Sequence, residues 1–231
     1  MGTTPTLLLP YPEPTDPADV PTDMHELADR IEAVRGAATG LASLDASGKV
    51  PAAQLPGGGI SYGSTPPGSP ADGDVWYLPV TAGVVWQFRY NAGAAGSFKW
   101  EFIGGPPFAS VIDTDQTPAA ANAWTTLPTL GPDCVVPRAG DYLADFACRV
   151  TGGPAASDVH AAVANASVNN NPVGSQGSAS PLVASRFLQI AQHTAAPGLA
   201  AGNTLRFVVF VTGGSEQIGK RTLRVTPVRV S

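Results

Sequence analysis

Apolar and polar residues alternate along several stretches of the C-terminal half of the chain. Residues 141–150 (DYLADFACRV) are apolar at every second position, which is the period of a strand with one buried face. Residues 205–211 (LRFVVFV) are apolar on both alternating faces, and this predicts a central strand covered twice. Residues 221–230 (RTLRVTPVRV) predict a further strand, in which Pro227 favours an edge or a bulge. The pattern predicts a β-sandwich or jelly roll over residues 106–231.

Residues 22–35 (TDMHELADRIEAVR) have a helical period instead. Thr22 and Asp23 are the candidate N-caps. The predicted oligomerisation seam consists of Met24, Leu27, Ile31 and Val34. Its spacings of three, four and three are those of a coiled-coil seam. Since so short a helix is not stable alone, it must pack on copies of itself, on another protein or on its own domain. Arg30 and Arg35 would repel across a parallel self-interface.

Three tryptophans, Trp76, Trp86 and Trp100, lie in short aromatic runs between residues 60 and 105, separated by Gly-rich turns. The composition of each run predicts a strand. We expect a small antiparallel meander of three or four strands with an aromatic core. A carbohydrate-binding platform is the alternative interpretation, but a domain this small needs large side chains for its own core.

The N-terminal segment is rich in proline. Residues 1–21 contain six prolines, which exclude a helix or a central strand and favour an extended arm on a partner's surface. Small residues dominate the stretch 36–59, which predicts a connector. The sequence therefore divides into a docking arm with a short oligomerisation helix (1–35), a connector (36–59), an aromatic β module (60–105) and a β-sandwich knob (106–231).

Charge excludes nucleic acid as an expected partner. Only 13% of the 231 residues are charged and the net charge is −5, whereas phosphate binding needs clustered basic residues. The one basic concentration alternates with apolar residues and is interpreted as solvent-facing: Lys220, Arg221, Arg224 and Arg229. The apolar run at residues 6–9 is too short for a signal or a membrane span, so we expect synthesis in a host cytoplasm without membrane insertion.

The sequence offers few candidates for catalytic or metal-binding residues. Cys134 and Cys148 are expected to be buried reduced thiols and not a bridge, because cytosolic thiols stay reduced. The three histidines, His25, His160 and His193, lie in unrelated sequence contexts. No nucleophile elbow, metalloprotease helix or phosphate-binding loop occurs.

Two carboxylate pairs remain as candidates for glycosidase chemistry, which requires carboxyl groups about 5–10 Å apart. They are Asp113 with Asp115, and Asp141 with Asp145. Both pairs lie in turn-like settings, where aspartate commonly has turn and cap roles. Asp113 and Asp115 lack the further ligands of a calcium loop. We therefore predict no catalytic residue, no metal site and no cofactor.

Four stretches resemble phage virion proteins. LLPYPEPTDPADVPTDMHELADRIEAV resembles the start of minor tail proteins from phages of high-GC actinobacteria. GLASLDASGKVPAAQLP is similar to a connector of tail fibres, and GSTPPGSPADGDVWYLP with FKWEFIGGPP resembles a small aromatic module of tail and fibre proteins. CVVPRAGDYLADFACRV, NTLRFVVFV and RTLRVTPVRVS resemble the C1q/TNF-type jelly-roll knob of fibre tips.

The resemblance implies a homotrimer that attaches to tail or baseplate proteins by its N-terminal arm and turns its knob towards a host receptor, for which a glycan is one candidate. The expected function is that of a non-enzymatic tail fibre or minor tail protein located in the virion. Three alternatives stay open. They are a head-decoration fibre of the capsid, a glycan-depolymerising tail enzyme and a lectin-like binding module.

Overall fold

The computed structural model describes residues 2–3, 10–11, 19–34, 48, 50, 59–81, 83–152, 157–182 and 187–231. Two compact units, Met1–Gly59 and Ile60–Ser231, make up the chain. The described strands are β1 (Gly2–Thr3), β2 (Pro10–Tyr11), β3 (Ile60–Tyr62), β4 (Val75–Thr81), β5 (Val84–Tyr90), β6 (Trp100–Gly104), β7 (Phe108–Ile112), β8 (Asp133–Val135), β9 (Gly140–Thr151), β10 (Ser157–Asn165), β11 (Gly177–Leu182), β12 (Phe187–Leu199), β13 (Thr204–Val211) and β14 (Gln217–Val230). The predicted mainly-β fold class is confirmed.

In the first unit, helix α1 (Val20–Val34) starts two residues before the predicted start. Asp19 caps it: one carboxylate oxygen accepts the Thr22 N–H at 3.3 Å and the other accepts the Thr22 hydroxyl at 2.8 Å. The predicted caps, Thr22 and Asp23, were wrong. The prediction began the helix after Pro21, on the assumption that proline ends the extended arm. Proline is tolerated in the first helical turn, however, because its missing N–H would have no partner there anyway.

The Pro-rich arm and the connector lie largely outside the described residues. Within the arm, β1 and β2 pair as a short antiparallel ladder. Of the connector, the structure describes Gly48, Val50 and Gly59. The spacer role assigned to residues 36–59 therefore stays a prediction.

Strands β7–β14 of the second unit form two antiparallel sheets that face each other. The first has the order β12-β9-β14-β7 and the second the order β11-β10-β13-β8. Two four-stranded sheets built in this way from eight consecutive strands make a jelly roll. The predicted C-terminal jelly-roll-like sandwich is confirmed.

The aromatic strands β4, β5 and β6 form the predicted antiparallel meander, while β3 joins it in parallel to β4. This meander continues the first jelly-roll sheet, because β6 pairs with the end of β14 through Glu101 opposite Arg229 and Trp100 opposite Val230. Strands from both sides of residue 105 thus belong to a single eight-stranded sheet.

One continuous apolar core fills the space between the sheets. The alternating residues of β9 point into it as predicted, and β13 is buried on both faces. On the far face of β13, Val208 packs with Ala162 and Ala164 beneath Trp124. The large buried side chains of the main core come from both the aromatic strands and the jelly roll: Trp76, Trp86, Phe88, Tyr142, Phe146 and Phe207.

A β-bulge in β14 corrects one sequence prediction. Between Gly219 and Thr222 the register shifts, so that Lys220 and Arg221 stand together opposite Cys148. Lys220 has a φ of 45°, a left-handed conformation that costs a non-glycine residue about 1–2 kcal/mol. Beyond the bulge, Arg221 shares the buried alternation of Leu223 and Val225, so Arg221, predicted to face solvent, is 0% exposed.

Arg221 fastens the segment that links β7 to β8, residues 113–132, to the edge of the sandwich. Its Nη1 donates to the carbonyl oxygens of Thr129 and Gly131, both at 2.9 Å, and its Nη2 donates to Gln116 Oε1 at 3.0 Å. No carboxylate is among these acceptors. Burial lowers the pKa of Arg221 from its usual value. The guanidinium is therefore held by neutral acceptors alone.

Candidate functional site

The predicted oligomerisation seam lies on α1 and is largely uncovered in a single chain. Met24 is 66% exposed and Ile31 is 39% exposed, while Leu27 is half-buried. Val34 belongs to the helix, but its side chain lies outside the described set. The described seam residues thus present an apolar stripe that this chain alone does not bury.

Three of the four candidate carboxylates contact basic side chains. Asp141 accepts from Arg229 at 3.2 Å and Asp145 contacts His193 Nδ1 at 2.6 Å. Both aspartates lie on β9 four residues apart, which places their Cα atoms about 13 Å from each other. The carboxyl groups of a glycosidase pair lie about 5–10 Å apart, closer than these two Cα atoms. Asp115, of the other pair, is bound to Arg149.

The histidines lie on three different elements, as their sequence contexts predicted. His25 contacts Asp29 on α1 at 3.5 Å, and His160 packs against Phe210 on the second sheet. In the described ranges, no group of three or more His, Cys, Asp and Glu side chains could hold a metal ion. Nor does the described part of the chain contain a helix long and apolar enough to cross a membrane.

The two cysteines are buried free thiols, as predicted. Cys134 lies on β8 and Cys148 on β9, in opposite sheets of the sandwich. Burial raises the pKa of each thiol to about 12. Because the thiolate is the reactive form, both cysteines are chemically inert in the folded protein near neutral pH.

We expect that Ellman's reagent at pH 8 leaves both thiols unmodified in the native protein and modifies both after unfolding in guanidinium chloride. Burial excludes the reagent, and the raised pKa keeps the thiolate fraction negligible. Absorbance at 412 nm measures the reaction. A thiol that reacts within minutes in the native protein would contradict this burial.

The tryptophans of the aromatic strands are core residues, as predicted, and the alternative of a carbohydrate platform is excluded for Trp76, Trp86 and Trp100. All three are buried. Trp76 Nε1 donates to the Gly63 carbonyl at 2.8 Å and Trp86 Nε1 donates to the Pro106 carbonyl at 2.9 Å. Rings buried in this way have no free face for a sugar.

The solvent-facing side of the sheet formed by β12, β9 and β14 contains two cavities instead. The larger measures about 510 Å³ and includes Asp145, His193 and Arg224 in its lining. These three residues form a row across the strands, because both His193 and Arg224 stand opposite Asp145 in the register. Arg224 makes no ion pair or hydrogen bond with any described residue.

The second cavity, about 340 Å³, lies beside the β14 bulge, and we call it the bulge cavity. Phe187 is 65% exposed there, with the Arg149 guanidinium 5.1 Å from its ring centroid. The lining is Cys148, Arg149, Phe187, Leu188, Gln189 and Lys220. Sequence reasoning missed this site, since its residues come from three strands and none of them belongs to a local motif.

Comparison with known proteins gives little guidance. No family model matches the chain, and no curated protein matches it. Among solved structures it is similar to a chain of infectious bursal disease virus, Gt strain, with 10% identity and a TM-score of 0.34, covering 65% of this chain and 42% of that one. It is also similar to a chain of the Gx strain, with 11% identity and a TM-score of 0.32, covering 62% of this chain and 39% of that one. The chain thus spans about two fifths of these viral chains, and TM-scores this low carry no argument about function.

Proposed function

We propose that this chain is a structural protein of a phage virion, a tail fibre or minor tail protein that attaches by its N-terminal unit and presents the jelly roll to the host surface. The motif resemblance to proteins of phages of high-GC actinobacteria supports the virion assignment. A jelly roll C-terminal to an arm and a helix is the arrangement that such a protein needs. The proposed role is binding without catalysis, and the wide spacing of Asp141 and Asp145 on β9 supports this.

The observation that carries the proposal is the uncovered seam of α1. A helix of four turns with an apolar stripe is marginal in water by itself. Burying Met24 and Ile31, which are 66% and 39% exposed, against the same stripe of other copies would stabilise both the helix and the assembly. We therefore propose a homotrimer that is held together at this seam and docks on other tail or baseplate proteins.

Replacing Ile31 with aspartate is expected to convert a three-chain particle into single chains. A charge in the seam must be desolvated on assembly and repels its copies. Sedimentation equilibrium on the full chain measures the mass. Ala33→Asp is the matched control, because Ala33 lies on the opposite side of α1 and is exposed. A single-chain mass for the unmodified protein, or equal masses for the two variants, would contradict the seam.

Host binding and location need separate tests. The labelled full chain should adsorb to cells of a high-GC actinobacterial host and block infection by the corresponding phage. Antibodies against the chain, seen by electron microscopy, should decorate the tail; decoration of the capsid would establish the head-fibre alternative instead. Release of sugar from purified host envelope polysaccharide would replace the binding role with the depolymerase.

A further inference from the structure

The backbone at the rim of the bulge cavity is unusual. Lys220 adopts a left-handed φ of 45°, which glycine or asparagine would adopt more readily. Its ammonium group makes no ion pair or hydrogen bond with any described residue. The fold thus holds Lys220 in an unfavourable conformation, and no hydrogen bond or ion pair of its ammonium group to the described residues offsets that cost. Such outliers concentrate at functional sites.

An exposed aromatic ring lies in the same cavity. Phe187 presents its ring to solvent, and the Arg149 guanidinium lies over that ring. Arg149 also binds Asp115, but its Nε is buried and has no hydrogen-bond partner among the residues that the structure describes. A rigid phenyl ring beside planar polar groups suits a ligand with one apolar face and a polar edge.

The charge of the cavity selects an anion. The described lining contains two basic side chains, Lys220 and Arg149, and no carboxylate. Because Asp115 pairs with Arg149 alone of these two, positive charge is in excess at this rim in a protein with a net charge of −5. The amide of Gln189, also in the lining, can both donate to and accept from hydroxyl groups. A volume of about 340 Å³ lies at the small end of the range for small-molecule sites.

We propose that the bulge cavity binds a saccharide with an anionic substituent, an inference that rests on the proposed host-surface binding. The carboxylate or phosphate of the sugar binds Lys220, the C–H face of its ring packs on Phe187, and its hydroxyls bind Gln189. A nucleic acid strand fits less well, since one unpaired lysine cannot neutralise successive phosphates.

Isothermal titration of the full chain with trigalacturonate and with neutral maltotriose tests the charge selection. We expect trigalacturonate to bind at least about tenfold more tightly, in line with a charge-assisted hydrogen bond. Glucose 6-phosphate forms a second arm. If it binds tightly while trigalacturonate does not, the anion is a phosphate and the site stands. Equal affinity for trigalacturonate, glucose 6-phosphate and maltotriose overturns the proposal, as does tighter binding of a single-stranded oligonucleotide.

Three variants test whether the anionic sugar binds in the bulge cavity. Lys220→Gly should weaken binding of the anionic sugar about tenfold or more, while its thermal midpoint stays at or above that of the unmodified protein, because glycine relieves the left-handed φ. Phe187→Ala should weaken binding of the same sugar. Arg224→Gln, which removes an unpaired charge from the same strand outside this cavity, should change affinity less than about twofold. Equal losses for Lys220→Gly and Arg224→Gln would show unspecific attraction and overturn the site.

Cell adsorption separates failure of the site from failure of the proposed function. If the unmodified chain and Lys220→Gly adsorb equally well to host cells, the bulge cavity is wrong and the host-binding role stands. If the chain binds the anionic sugar but adsorbs to no host cell, the cavity stands and the host-binding role is wrong.

Discussion

Arg221→Ala is expected to lower the free energy of unfolding by about 3–5 kcal/mol, since it removes a fully buried side chain and its hydrogen bonds together. The carbonyls of Thr129 and Gly131 lose this donor, while Gln116 Oε1 loses one of two donors and keeps the Thr129 N–H. Each buried acceptor left unpaired costs about 1–3 kcal/mol, and water entering the space recovers part of that. The segment 113–132 should also become more accessible to protease.

Urea unfolding followed by far-UV circular dichroism measures this effect. Arg224→Ala is the matched control, because Arg224 lies three residues further along β14 and is exposed. Its free energy of unfolding should stay within about 0.5 kcal/mol of that of the unmodified protein, as is usual for surface substitutions. Similar losses of unfolding free energy in the two variants would contradict the role of Arg221 in holding the segment 113–132.

Trp86→Ala is expected to lower the free energy of unfolding by about 3–5 kcal/mol. The loss should affect the jelly roll as well as the aromatic strands. Trp86 is fully buried in β5, and its ring centroid lies 6.3 Å from that of Tyr142 in β9. The ring therefore joins the aromatic strands to the sandwich. Because the sheet and the core are continuous, residues 60–231 should unfold in one transition in both the variant and the unmodified protein.

Agreement between tryptophan fluorescence and circular dichroism during unfolding tests that cooperativity. Trp124→Ala provides the comparison, since Trp124 is half-buried and covers only the small cluster around Val208. Trp124→Ala should lower the free energy of unfolding clearly less than Trp86→Ala does. Two separated transitions, with the aromatic strands unfolding first, would show that the boundary at residue 105 divides two independent folding units.

Strands with one buried face could be read from the sequence. In β9 every second residue is apolar, and the structure buries that set. The double burial of β13 followed equally well from Phe207 and Val208, which are both apolar although they point to opposite faces. Local alternation reports burial directly, so these predictions needed no knowledge of partner strands.

Features that depend on a partner or on one backbone angle could not be predicted. The alternation of β14 is reversed by a single extra residue, and nothing in Lys220 or Arg221 marks where the bulge occurs. Similarly, the composition of the aromatic runs does not show that Trp100 would stand opposite Val230 in one shared sheet. The residues of the bulge cavity share no local pattern, because the fold brings Phe187 to Lys220 from different strands.

Because β14 is a central strand, its sheet cannot be completed until β14 has been synthesised. β14 pairs with β9, β7 and β6, and all three emerge from the exit tunnel before it. At roughly 5–20 residues per second, the nascent chain spends several seconds with the edges of these strands open. Open edges are templates for pairing with neighbouring chains on the same messenger. Crowded polysomes and slow late codons are therefore the conditions under which this protein should misassemble, and chaperones that hold strand edges should improve its yield.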